Sequence, residues 1–218
     1  MKKIRVSNPE EFSTLVTQHI QTVAEAHADS IRIGVPGGRG AVSVVQGLVQ
    51  CEAEILKRVE LYLVDERLTG STNHDTLLDV GLGEAIKAGL FSDAQLHVPQ
   101  LNKPFLPQGE ILDLLYLGIG EDGHIASLFP GSYPELDARG VGDTAYIADS
   151  PKPPPERVTI TYRALRKYAK RAQTYLLFFG EGKRIALERF LDAQESPSTL
   201  PCRYFPREWF AFDLVTDL

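Results

Sequence analysis

Two titratable side chains, Asp122 and His124, stand two positions apart in a glycine-spaced run, residues 117–132. The run reads Leu-Gly-Ile-Gly-Glu-Asp-Gly-His-Ile-Ala-Ser-Leu-Phe-Pro-Gly-Ser. Histidine is the side chain whose ordinary pKa lies closest to neutrality, so it can take a proton and return it within one reaction. An apolar segment, residues 111–119, leads into the run, and a short helix-compatible stretch follows it. A parallel strand delivers a titratable side chain to the carboxyl edge of a sheet in this way, and open α/β folds bind ligands at that edge. Three further segments carry suitable chemistry where apolar runs end. Gly37-Gly38-Arg39-Gly40 can bring backbone N–H groups close to an anion, with the positive end of a following helix behind them. Asp65-Glu66-Arg67 sets three charges directly after a buried run, and Lys183 follows Gly182 at the start of a helical stretch.

The elements that must position these residues alternate between strand and helix. Asn8-Pro9-Glu10-Glu11 is a helix start, with a capping residue, proline at the first helical position and acids in the first turn. Phe12, Leu15, Val16, Ile20 and Val23 continue it at helical spacing. Strands are expected at residues 31–35, 59–64, 114–119, 144–148, 157–161, 174–179 and 209–214, the last closing the sheet. Helices are expected at 41–50, 73–88 and from 183 to about 193. Residues 151–155, Pro-Lys-Pro-Pro-Pro, read as a stiff connector too short to link domains. The pattern predicts a single α/β domain over residues 1–218: a doubly wound, mainly parallel sheet flanked by helices.

Composition narrows the partners. The chain has 218 residues and a net charge of −6, so no global field draws it to nucleic acid or to an acidic membrane. An acidic protein that binds a phosphorylated ligand must concentrate a few cations locally. No apolar run approaches the roughly 20 residues needed to cross a bilayer. The N-terminal residues turn polar at Ser7-Asn8 before an apolar core develops, unlike a signal peptide. Cys51 and Cys202 form no Cys-x-x-Cys pair, which points to a reducing compartment and away from a disulfide framework or a zinc site. A cytoplasmic protein is expected, a monomer or small homo-oligomer, with no metal and no cofactor.

The run 117–132 resembles the signature of the 6-phosphogluconolactonase family, Gly-x-Gly-x-Asp-Gly-His-x-Ala-Ser-Leu-Phe-Pro-Gly. Every fixed position of that pattern is matched, from Gly118 to Gly131. Glucosamine-6-phosphate deaminases share the fold and a similar Asp-Gly-His-Ile-Ala but continue with Phe-Asn-Glu-Pro. Ser127-Leu128-Phe129-Pro130 therefore favours the lactonase branch. The resemblance implies hydrolysis of 6-phospho-D-glucono-1,5-lactone in the oxidative pentose phosphate pathway, with His124 activating water. Asp122 or Asp65 would orient the imidazole, and N–H groups of the glycine turn, Gly123 among them, would hold the oxyanion. It further implies phosphate contacts from Arg67, Lys183 and the turn Gly37-Gly38-Arg39. Gly40-Ala41 replaces the family's usual Thr-Pro, so Ser43 is expected to supply the hydroxyl one turn later. Asn73 matches the end of a family loop that is shortened here, and Arg157 begins a strand like the family's Arg-x-Thr-x-Thr, mainly structural and a candidate ligand. An amino-sugar-phosphate isomerase with Asp65 as base, or a non-catalytic sugar-phosphate sensor, stand as the alternatives.

Overall fold

The computed structural model describes residues 1–192, 194–205 and 210–218, and of Arg39 the backbone alone. In chain order the first half contains β1 (Lys3–Arg5), α1 (Pro9–Ala26), β2 (Ile31–Val35), α2 (Gly38–Leu48), α3 (Ala53–Leu56), β3 (Val59–Leu63), β4 (Asp65–Arg67), α4 (Asn73–Leu77), α5 (Gly83–Lys87) and β5 (Leu96–His97). The second half contains β6 (Leu114–Gly118), β7 (Thr144–Ile147), β8 (Arg157–Ile160), α6 (Tyr162–Tyr168), β9 (Gln173–Phe178), α7 (Arg184–Leu191) and β10 (Ala211–Thr216).

Seven strands form a parallel sheet in the order β1-β10-β9-β6-β2-β3-β5. Alternation along each central strand feeds a core on both faces. In β6, Leu114 and Tyr116 join one apolar cluster while Leu115 and Leu117 join the other. β3 divides likewise, with Leu61 and Leu63 on one face and Tyr62 on the other. Phe12, Val16 and Ile20 of α1 and Val44, Val45 and Leu48 of α2 cover the first face. Leu165 and Tyr168 of α6 and Leu187 and Phe190 of α7 cover the second. After β2 the chain proceeds outward through β3 and β5, then returns to lay β6 on the other side of β2. A reversal of this kind opens a crevice at the carboxyl ends of the strands. β2 and β6 share only the Ile33–Leu114 and Gly34–Leu115 pairs, so the two strands part before their carboxyl ends.

The helix start at Asn8 forms as expected: its side chain accepts from Glu11 N at 2.8 Å, with Pro9 as the first helical residue. Other expectations need correction. Residues 144–147 and 157–160 do not join the parallel sheet; with β4 they form a separate antiparallel sheet, β4-β8-β7. The final strand lies at 211–216, between β9 and β1, so the N-terminal β1 is the edge on that side. Trp209 lies outside the described residues. Residues 73–87 are helical in pieces, because Gly81 takes φ 134° and interrupts the hydrogen-bond ladder over Leu78–Leu82.

Glu66 ties the small sheet to the start of α4. Its side chain is buried, and Oε1 accepts from Arg67 N and Asn73 N, both at 2.6 Å, while Oε2 accepts from His74 N at 2.8 Å. The carboxylate thus serves the first N–H groups of α4, which no helical carbonyl can reach and whose dipole favours a negative charge. Glu66→Ala leaves those donors buried and unpaired. It should cost about 2–4 kcal/mol of stability, read as a melting temperature lower by roughly 4–16 °C for a chain of this size.

Candidate active site

The carboxyl ends of β2, β3, β6 and β9 meet around a cleft of about 580 Å³. Pro36, Gly37, Gly38 and Gly40 enter it after β2, Asp65, Arg67 and Asn73 after β3, Gly120, Glu121 and His124 after β6, and Gly182 and Lys183 after β9. Among the five histidines of the chain, His124 alone lines it. His19, by contrast, is stacked on Tyr175 at 4.1 Å, and burial holds it down to about 4 against the nearby charge of Asp213.

His124 is held from two sides. Its Nδ1 lies 2.5 Å from Asp122 Oδ1, and its ring packs on Phe129 with centroids 4.7 Å apart. Burial alone would raise the Asp122 carboxyl, but the hydrogen bond and charge of His124 outweigh it and bring it down to about 2. An ionised carboxylate only accepts, so in the neutral imidazole Nδ1 carries the proton and Nε2 keeps its lone pair for a bound molecule. Gly120 makes this packing possible: a Cβ there would lie 2.0 Å from His124 Nδ1 and 2.6 Å from Asp122 Oδ1.

Asp65 sits beneath, 5% exposed. Ser127 Oγ donates to its Oδ2 at 2.6 Å, Asn73 Nδ2 to its Oδ1 at 3.2 Å, and Arg157 Nη1 stands 3.8 Å from Oδ2. Burial pushes this carboxyl above its ordinary range, opposed by Ser127 and by Arg157, His124 and Arg67. Asn73 fills the space beside Gly37, where a Cβ would lie 2.1 Å from Asn73 Oδ1. The turn before α2 is therefore seated directly on the residue that holds Asp65. Gly37 caps α2 without a side-chain acceptor, so the first N–H groups of that helix face the cleft with no cap. Beside them, Arg67 Nη1 donates to Ser71 O at 3.0 Å, whereas its buried Nε makes no hydrogen bond. A guanidinium lining the same cleft as an uncapped helix N-terminus suits a phosphate.

The structure thus brings Gly37, Gly38, Asp65, Arg67, Asn73, His124, Arg157 and Lys183 to one cleft, with Asp122 behind His124. Ser43 is not among them: it is buried and lines a separate apolar cavity with Val6, Phe12 and Phe179. Gly123 does not line the cleft, and its N–H donates to Gly120 O at 3.0 Å within the turn. Only the backbone of Arg39 lies within the described residues. Arg157 holds backbone carbonyls of residues 152–154, a structural role consistent with its strand position. Sequence reasoning missed Ser127, which no pattern linked to Asp65, and Lys152 and Pro153, which belong to the cleft wall instead of a bare connector. It also missed Ala126, whose φ of 50° turns the chain so that Ser127 N reaches Thr159 Oγ1 at 3.1 Å. Among the described residues no group of three His, Cys, Asp or Glu side chains is placed to hold a metal. No helix there is long and apolar enough to cross a membrane.

Comparison with known proteins agrees with this arrangement. The family of glucosamine-6-phosphate isomerases and 6-phosphogluconolactonases matches residues 90–211. A 6-phosphogluconolactonase of Rattus norvegicus is 49% identical over 217 aligned residues, covering 87% of this chain and 81% of the rat protein. The chain belongs to this family. A probable chloroplastic 6-phosphogluconolactonase of Oryza sativa is 46% identical over 107 residues, and that match spans 49% of this chain and 31% of the rice protein. The family fold is seen again in a 6-phosphogluconolactonase of Trypanosoma brucei, with a TM-score of 0.74 at 17% identity, covering 99% of this chain and 95% of that one. A monomeric glucosamine-6-phosphate deaminase gives 0.69 at 16% identity, covering 99% and 97%. The fold alone is therefore common to both branches.

The depressed Asp122 carboxyl has a signature in stability. A carboxyl lowered from 3.8 to about 2 on folding stabilises the protein above its unfolded value and loses that contribution as pH falls through its folded value. The parent should thus be more resistant to urea than Asp122→Asn at pH 6, with the difference shrinking between about pH 4 and pH 2. Urea titrations of both proteins at several pH values measure it.

Proposed function

We propose that this protein hydrolyses 6-phospho-D-glucono-1,5-lactone to 6-phospho-D-gluconate, the lactone-opening step of the oxidative pentose phosphate pathway. The observation that carries the reading is His124, backed by Asp122, lining the same cleft as Arg67 and the uncapped start of α2. One end of such a cleft suits a phosphate, and the other offers a base to a water molecule. The rat relative, which the chain matches over most of both lengths, bears the name of this activity.

In this mechanism Arg67, Lys183 and the first N–H groups of α2 hold the phosphate. That anchor fixes the sugar so that C1 meets the water beside His124, and such positioning removes much of the entropic barrier. His124 Nε2 takes a proton from the water as its oxygen bonds to C1. The tetrahedral adduct then collapses with cleavage of the bond from C1 to the ring oxygen. The imidazolium returns its proton to that oxygen, and the new carboxylic acid loses its proton to solvent. Asp122 keeps the imidazole in the required tautomer and stabilises its charged form. Asp65, held by Ser127 and Asn73, fixes the floor against which Arg67 and the turn at Gly37 are set. The two cysteines are free and buried, which fits the reducing interior of a cell, and we place the reaction in the cytoplasm.

The test is a coupled assay with freshly generated phosphogluconolactone against a no-enzyme blank, because the lactone also opens unaided. Turnover of glucosamine 6-phosphate in place of the lactone would overturn the reading. So would tight binding of 6-phosphogluconate without turnover, which would indicate a sensor. His124→Asn should lower kcat by about 10²–10⁴ while the product still binds, as read by isothermal calorimetry. Arg67→Ala should reduce kcat/KM for the phosphorylated lactone about ten- to a hundredfold more than for glucono-1,5-lactone, matching one charged hydrogen bond. Equal losses on both substrates would assign Arg67 to the fold.

A further inference from the structure

Attack of water on C1 leaves a negative charge on the former carbonyl oxygen, and the glycine turn beside His124 is poorly supplied to meet it. Gly120 N donates to His124 O at 2.8 Å, Gly123 N to Gly120 O at 3.0 Å, and His124 N to Asp122 Oδ1 at 3.3 Å. Ile119 N donates to Leu177 O at 3.0 Å and Ser127 N to Thr159 Oγ1 at 3.1 Å. These donors hold the turn in shape and are not available to a ligand. A cation in the cleft wall would meet that charge more strongly than the neutral N–H groups of Glu121 and Ala126, which also line the cleft.

Lys152 stands in the wall of the cleft, and its ammonium makes no hydrogen bond or ion pair among the described residues. Its backbone is fixed. Arg157 Nη2 donates to Lys152 O at 3.0 Å and to Pro153 O at 3.3 Å, and Arg157 Nε donates to Pro154 O at 3.2 Å. Ser150 Oγ donates to Lys152 O at 2.9 Å and accepts from Lys152 N at 3.2 Å. The same guanidinium lies 5.9 Å from the Phe129 ring, which is also the ring that packs on His124. Lys152 is therefore carried on a segment held by Arg157, which approaches the Phe129 ring beside His124 on one side and pairs across the small sheet with Arg67 on the other. Five hydrogen bonds hold the main chain of residues 152–154, while the Lys152 charge is left to a bound molecule.

We propose that Lys152 is a catalytic residue, the cation that stabilises the oxyanion on C1 as the lactone opens. The proposal rests on the lactonase reading above. Negative charge gathers on the C1 oxygen when the oxygen of water bonds to carbon and the carbonyl π pair moves onto oxygen. It leaves when that pair re-forms the carbonyl and the ring oxygen departs with the proton from His124. An ammonium carried on that held backbone interacts more strongly with the transient charge than with the neutral lactone, and such differential stabilisation lowers the barrier. Phosphate binding remains with Arg67, Lys183 and α2.

The experiment compares parent, Lys152→Met and Lys152→Arg on 6-phosphogluconolactone and on glucono-1,5-lactone, each against a no-enzyme blank. Lys152→Met should lower kcat by about 10²-fold, as loss of one oxyanion donor does, and by a similar factor on both substrates. KM should stay within a few-fold, and Lys152→Arg should regain part of the lost kcat on both. The melting temperature should be unchanged, because the segment is held through its backbone. A loss confined to the phosphorylated lactone, and seen in KM, would make Lys152 a phosphate ligand and overturn the proposal. A kcat within a few-fold of the parent on both substrates would overturn it as well. A parent inactive on both lactones would instead remove the lactonase reading itself.

Discussion

Asp65 carries a carboxyl that water barely reaches, and an ionised carboxylate in that position is costly unless donors surround it. The donors come from three separate parts of the chain. Ser127 belongs to the glycine-rich turn after β6, Asn73 opens α4, and Arg157 begins β8. Satisfying one buried group therefore fixes the relative positions of three segments that each reach the cleft. Asn73 then packs against Gly37 and sets the start of α2, while Arg157 extends the chain of contacts to residues 152–154. Removing any one partner would leave a polar group buried and unpaired, which costs more than an ordinary hydrogen bond contributes. The opposed effects on the Asp65 carboxyl, burial against its donors, express the same tension.

Close approach of side chain to backbone completes the arrangement. At Gly120 the space a Cβ would fill is taken by the His124 ring and the Asp122 carboxylate, and at Gly37 it is taken by the Asn73 amide. These two glycines act mainly through the room they leave for the two polar groups that orient the site. This gives a physical reason for glycine in the run 117–132 beyond the turn itself. An alanine at position 120 would push the imidazole off its carboxylate.

The chemistry at the strand ends was legible in the sequence because it depends on local order. An apolar run followed by Asp122 and His124, or by Asp65, places those side chains at a carboxyl edge whatever the rest of the chain does. Helix α1 was legible through its cap and its spacing for the same reason. The small antiparallel sheet was not. β4 pairs with β8 across about ninety positions, with Asp65 opposite Thr159 and Arg67 opposite Arg157, and no local signal reports such a pairing. β1 and β5 were missed because a strand of three or two residues has too little alternation to register. Ser43 was assigned by counting one turn along α2, yet its direction is set by how α2 packs on α1, and that turns it into the neighbouring cavity. The engagement of the N–H groups at Gly120 and Gly123 likewise depends on how the turn folds back on itself, which composition does not reveal.

A net charge of −6, spread evenly, disfavours a phosphorylated ligand. The cleft answers this by position. Arg67, Lys183 and the pair Lys152 and Arg157 reach it from three different segments, while Asp65, one of the acids lining the same cleft, is enclosed by donors. Salt screens exposed charges over about 8–10 Å, so acids elsewhere on the surface weigh little against cations that line the cleft itself. Arg157 is committed to the carbonyls of residues 152–154, and its charge acts chiefly on Asp65 and on the shape of the wall. The remaining cations are then divided by what surrounds them. Arg67 lines the cleft together with the uncapped start of α2, whose N–H groups favour an anion, and Lys152 lines it on the wall held by Arg157. A phosphate is charged throughout the reaction and serves as a handle; the C1 oxygen is charged only briefly. If Lys152 serves the second as proposed, a cation for each stands on a different segment, and binding and bond breaking are open to separate tuning.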